Sequence, residues 1–121
     1  MAFDWFWRAM GAQSTRNQKR SRTIVADAGA QTAELTRLDD AALAQRAHDL
    51  AAGGEITESA EFLALLGVAA ERTLGLTPFP VQSQAVLRLV EGDVIQMATG
   101  EGKTLVGAMA ATGFALTGKR V

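Results

Sequence analysis

Residues 93–105 read DVIQMATGEGKTL, and they constrain the fold more than any other part of the chain. A short β-branched and apolar run, DVIQMA at 93–98, leads into two glycines, a lysine and a threonine, followed by an alanine-rich stretch of helical composition. Strand, glycine turn and helix in that order form the setting in which a backbone can cradle a phosphate. Glycines let successive N–H groups turn inward at points where a side chain would crowd an anion. A helix that opens just after them adds roughly half a positive charge. Gly100, Glu101 and Gly102 are therefore expected to wrap phosphates. Lys103 is expected to reach the β- and γ-phosphates of a nucleotide, and the Thr104 hydroxyl to complete part of a Mg²⁺ shell.

Helices dominate the rest. Phe3, Phe6, Trp7 and Met10 share one face of a helical N-terminus, and the basic run RNQKRSR at 16–22 follows without an acid. Such an arm suits ordinary packing, a partner, or an anionic lipid surface. The alanine-rich segment 23–38 reads as helical, weakened by Gly29. In LDDAALAQRAHDLAAGG, Asp39 is expected to cap a helix, Leu38 to staple against Leu43, and Gly53–Gly54 to end it. His48 on that helix has no Cys, Asp or Glu at ligand spacing and reads as structural. A further helix from Thr57 to Gly75 is expected to turn Phe62, Leu65, Leu66, Ala69 and Leu74 inward. Pro80 opens another, with Val81, Ala85, Leu89 and Val90 inward and Gly92 closing it. The last helix is expected over 103–116, stopped by Thr117–Gly118, with KRV beginning a second strand.

Composition narrows the function classes. A chain of 121 residues with 48% hydrophobic and 21% charged residues is one globular domain in size and balance. Net charge of −1 provides no global field for nucleic acid, so none is expected as a partner. Without cysteine there are no disulfides or thiolate metal sites. The longest apolar run, FLALLGVAA at 62–70, falls well short of the ~20 residues a membrane span needs, and the N-terminus lacks a signal-peptide pattern. A cytoplasmic location is the expectation.

Two further details refine the site. Met97 stands where the common phosphate loop has its first glycine, a spelling closer to helicase-like motors than to small GTPases. Upstream, Gln82 in TPFPVQSQ is placed as such motors place an adenine reader, since a carboxamide both donates and accepts.

The words PFPVQ, MATGEGKTL and ALTGKRV together resemble SecA, the ATPase motor of the bacterial Sec export system. WRAMGAQSTRNQKRS is similar to the accessory SecA paralogues of actinobacteria. The resemblance implies an ATP-driven motor that pushes unfolded preproteins through the SecYEG channel, with the N-terminal helix near lipid and channel. It implies adenine contact at Gln82, phosphates at Gly100 to Gly102 and Lys103, and Mg²⁺ at Thr104. Pro80 replaces an acid usual in the family, and Thr77 a common basic residue.

The fold class expected is α/β: N-terminal helices, then the first strand, phosphate loop and helix of an incomplete helicase-like (RecA-like) NTPase domain. Its divisions would be an arm at 1–22, a helical lead-in at 23–78 and the start of a nucleotide-binding domain at 79–121. No Asp or Glu follows Glu101, so the chain reads as the front of a motor and is expected to be inactive by itself. Two other readings stay open: a nucleic-acid helicase of the same superfamily, and a non-catalytic module docking on membrane or channel.

Overall fold

The computed structural model describes residues 2–53, 59–92, 95, 97, 102–118 and 120, with residues 2–16 described by backbone alone. Its first element is a single helix, α1 (Ala2–Leu35), which runs unbroken across residues 22 and 23. Ser21, Ala28 and Leu35 are buried, and Ile24 and Val25 pack partly against the core. These positions recur every three to four residues, the period that puts one stripe of a helix against a neighbour. The neighbour is chiefly α3 (Ala60–Leu74), and secondarily α4 (Pro80–Val90).

Helix α3 is the centre of the fold. Phe62, Leu63, Ala64, Leu65, Leu66, Val68 and Ala70 are all buried, so the helix is covered on nearly every side. A helix apolar all round must lie inside. Two of the residues expected to face inward do not: Ala69, which borders a groove toward α2 and α5, is exposed, and Leu74, just before Gly75, is 58% exposed. Gly75 ends the helix at φ 67°, a left-handed conformation that glycine adopts without a Cβ penalty. On α4, Ala85 and Val90 are buried as expected and Leu89 packs partly against the core, but Val81 is exposed, and Gln82, Val86 and Leu87 are buried as well.

Helix α2 (Asp40–Ala52) lies across α3 and contributes no fully buried residue. As its sequence predicts, Asp39 caps it, accepting the Ala42 N–H at 2.7 Å. Arg72, in the last turn of α3, ties this corner together. Its guanidinium donates to the Thr36 carbonyl at 3.0 Å and to the Leu38 carbonyl, and pairs with Asp40 at 2.8 Å. Two carbonyls of the turn between α1 and α2 thus gain a charged donor. Asp40 is 90% exposed, so its ion pair is screened and the carbonyl bonds carry most of the effect. Arg72→Met, which keeps the apolar stem, is expected to lower stability by about 1–2 kcal/mol. Urea melts at 0.1 and 1 M salt would show nearly equal losses; a loss that vanishes in salt would assign it to the Asp40 pair instead.

The expectation of an α/β fold is corrected by this architecture. The described residues form five helices, the last being α5 (Lys103–Leu116), and no strand. Of the strand expected at 93–98, residues 93, 94, 96 and 98 lie outside the described residues; Ile95 and Met97 show no strand pairing. Both pack as half-buried side chains against the core beside α5. Arg120, in the second expected strand, is likewise unpaired as a strand, and residues 119 and 121 are not among those described. The physical reason is that a strand exists only through a ladder with another, and the apolar side chains here are covered by helices instead.

Candidate functional site

The site is built from the start of α4 and the start of α5. Pro80 occupies the first position of α4, where its missing N–H costs nothing and its fixed φ suits the helix. Phe79 is the N-cap, but a phenyl ring cannot accept a hydrogen bond. The end is satisfied from the other direction: the Phe79 N–H donates to Gln82 Oε1 at 2.8 Å. The Gln82 backbone N–H in turn donates to the Phe79 carbonyl at 2.9 Å. Gln82 is only 5% exposed.

Gly102 is the N-cap of α5, at φ 74° and ψ 46°. Two constraints meet there. The left-handed backbone disfavours any side chain, and a Cβ built on Gly102 would collide with Gln82 Nε2. The structure therefore brings together two of the predicted site residues that lie far apart in the chain. Lys103 and Thr104 follow on the first turn of α5, both exposed, while Leu105 and Val106 next to them are buried and anchor the turn.

The electrostatics of that turn favour an anion. Helix geometry leaves the first-turn amides without intrahelical acceptors; the first regular bond runs from the Val106 N–H to the Gly102 carbonyl at 3.3 Å. Asp39 and Ser59 supply side-chain caps to α2 and α3, but no side chain caps α5 and no acid stands in its first turn. Among the described residues Lys103 has no ion-pair partner. First-turn N–H groups, a dipole end and an ammonium with no ion pair among the described residues are a donor set that fits phosphate. The Thr104 hydroxyl, exposed beside them, fits the hard oxygen ligation of Mg²⁺. Gly100 and Glu101 lie outside the described residues. A groove of about 320 Å³ runs along the same turn, walled by Leu89, Ile95, Met97 and Val106 with Lys103 at its edge.

Sequence reasoning passed over Phe79. Its ring is 69% exposed, beside Leu76 at 50% and Val81 at 48%, directly next to the buried carboxamide of Gln82. The signal was the aromatic residue between Pro78 and Pro80, which hold it at the mouth of α4. In the basic run, Lys19, Arg20 and Arg22 are exposed on α1, and the aromatic side chains of the N-terminal arm lie outside the described residues. Among the described residues no helix is long and apolar enough to cross a membrane.

Comparison with known proteins covers nearly the whole chain. A family profile described as SecA DEAD-like domain matches residues 6–121. Protein translocase subunit SecA 2 of Corynebacterium glutamicum strain R is 71% identical over 119 residues, 98% of this chain and 16% of that protein. The protein of the same name from Corynebacterium efficiens is 66% identical over 119 residues, again 98% of this chain and 16% of the relative. SecA 2 of Mycolicibacterium smegmatis is 50% identical over 121 residues, 96% of this chain and 15% of the relative. The chain thus spans about 16% of the length of these relatives.

Proposed function

This chain belongs to the SecA DEAD-like domain family, and on that premise we propose that it supplies the nucleotide-facing part of an ATP-driven protein-translocating motor. Residues 79–121 form the start of the nucleotide-binding part, residues 23–78 a helical lead-in, and residues 1–22 an arm directed at anionic lipid or channel. The motor moves unfolded preproteins through the SecYEG channel from the cytoplasmic face of the membrane. The observation that supports this reading is that the Gln82 carboxamide lies against Gly102, in the space a Cβ there would take.

In this reading Gly100, Glu101 and Gly102 wrap the phosphates with backbone N–H groups. Lys103 neutralises the β- and γ-phosphates, and Gln82 reads the adenine edge. The Phe79 ring offers an apolar face on which the base stacks. The Thr104 hydroxyl would hold part of the shell of a Mg²⁺ ion, which would supply positive charge against that of the phosphates. Hydrolysis also requires an acid to help hold that ion and position water. The chain has none after Glu101, and the 121-residue polypeptide by itself is expected to turn over no ATP.

The test uses two proteins: the 121-residue chain, and a chimera in which it replaces the matching segment of C. glutamicum SecA 2. Phosphate release is expected from the chimera and not from the chain alone. In the chimera, Phe79→Ala is expected to weaken ATP binding about tenfold, as base–aromatic stacking is worth about 1–3 kcal/mol, while leaving tripolyphosphate affinity unchanged. A chimera that neither binds nor hydrolyses ATP would remove the proposal, and equal losses for both ligands would remove Phe79 from the base site.

A further inference from the structure

We infer that α2 is a lid: it lifts from α3 as an intact helix while the rest of the fold stays closed, and so uncovers an apolar floor on α3. The lid is independent of the nucleotide reading, since none of the ties described below reaches residues 79–105.

What keeps α2 helical lies within α2 and its caps. Asp39 accepts the Ala42 N–H at 2.7 Å, the Gln45 carboxamide donates to Asp49 at 2.9 Å, and the Gly53 N–H donates to the Asp49 carbonyl at 3.2 Å. None of these bonds involves another helix. What keeps α2 against the fold is weaker. Helices α1, α3, α4 and α5 each contribute buried residues to the core, whereas α2 contributes none. Its apolar seam, Leu43, Ala47, Leu50 and Ala51, is only half-buried. The groove of about 360 Å³ between α2, α3 and α5 runs along this seam, with Leu43 and Ala47 on one wall and Leu65 and Leu66 on another. Unfilled space deprives the side chains of both walls of dispersion partners.

Two arginines supply the remaining hold. Arg72 of α3 donates to the Thr36 and Leu38 carbonyls and pairs with Asp40 at 2.8 Å. Most of that grip falls on the turn before α2, which fixes where the helix begins and serves as the pivot. Further along, Arg46 of α2 pairs with Glu61 of α3 at 3.3 Å and lies 4.0 Å from Glu34 of α1. The Arg46 side chain is 47% exposed, so water and salt weaken this latch. A helix with self-contained hydrogen bonds, little burial and a solvated latch opens at a lower free energy than the whole domain unfolds. Lifting it exposes Leu65 and Leu66, which are 7% and 6% exposed when the lid is shut. The fold thereby gains a second state in which an apolar stripe of its central helix faces outward.

The chain has no cysteine, so a single introduced thiol reports its own exposure. Leu66→Cys places one on the floor, and Val68→Cys places one at a position 1% exposed, two residues along the same helix. Labelling with dithiobis(nitrobenzoate) is followed in the 121-residue chain without denaturant, circular dichroism confirming that each variant is folded. Leu66→Cys is expected to react about tenfold faster or more, because its exposure needs only the local opening. Adding Arg46→Gln removes the latch and is expected to speed labelling of Leu66→Cys about threefold, the scale of a part-exposed ion pair. Adding Val86→Ala, at a position 0% exposed on α4, is expected to speed labelling of Val68→Cys. That rise is about tenfold, for two buried methyl groups lost. The same change leaves Leu66→Cys unaltered, because the packing of α4 survives when the lid lifts. Leu65→Cys is the second floor position and is expected to repeat the pattern of Leu66→Cys.

Equal labelling of the floor and reference thiols would overturn the inference. So would a floor rate indifferent to Arg46→Gln, which would mean that the reagent enters the groove with the lid shut. A floor rate that rises with Val86→Ala as the reference does would also overturn it, by showing that the floor opens only when the whole domain unfolds.

Discussion

Alanine at Lys103 is expected to reduce ATP turnover of the chimeric full-length protein by about 10²–10³-fold, the usual cost of removing one preorganised donor from developing phosphoryl charge. Lys103 stands at the first position of α5, exposed and with no ion-pair partner among the described residues. Among the described residues no acid pairs with its ammonium group. Its removal should consequently leave folding stability within about 0.5 kcal/mol of the parent, as for other exposed side chains. That separation makes the experiment sharp: activity falls while the urea midpoint stays. Lys103→Arg keeps the charge but replaces a compact point donor by a planar fork, and an intermediate loss is expected. Turnover within threefold of the parent for Lys103→Ala would dismiss residues 102–104 as the phosphate site.

Local signals in this sequence were legible because each is satisfied locally. Asp39 caps α2, Gly75 ends α3, Pro80 opens α4, Gly92 follows it, and Thr117–Gly118 follows α5, each within a turn of where the residue types place it. The expected strand failed because its test is not local. A β-branched run such as 93–98 says that side chains want cover, and Ile95 and Met97 obtain cover against α5 without a ladder. On α4 the expectation failed at Val81 alone among the residues placed inward, for a related reason. Hydrophobicity pointed to Val81, but the first turn is oriented by Gln82, whose carboxamide satisfies the Phe79 N–H and meets Gly102. A polar residue buried for its hydrogen bonds is invisible to an apolar pattern. For the site, Gln82 and the 100–104 stretch were marked by residue type and order alone. That Gln82 and Gly102 touch depends on how α4 and α5 pack against each other, which no spacing rule contains.

The packing that sets this contact leads to Phe62. Phe62 is 1% exposed, and its ring tip lies 2.7 Å from where a Cβ on Gly113 would be. Glycine at 113 thus opens the space on α5 that the ring fills, and the ring holds α5 at its distance from α3. Phe62→Ala is expected to cost about 3–5 kcal/mol, the upper range for a buried aromatic. The upper range applies because Phe62 already borders a groove of about 360 Å³ between α2, α3 and α5, so the space it leaves joins an existing one instead of closing. Against a total stability of roughly 5–15 kcal/mol for a domain of this kind, that loss is about a fifth or more. Gly113→Val approaches the same contact from the other side by overfilling it, at about 1–3 kcal/mol. Leu74→Ala, at a residue 58% exposed, is expected to change little and serves as the control. Urea denaturation of the 121-residue chain followed by circular dichroism measures all three. A Phe62→Ala loss no larger than that of Leu74→Ala would mean that α5 is not seated on α3 through this ring, and with it the placement of Gly102 beside Gln82 would lose its support.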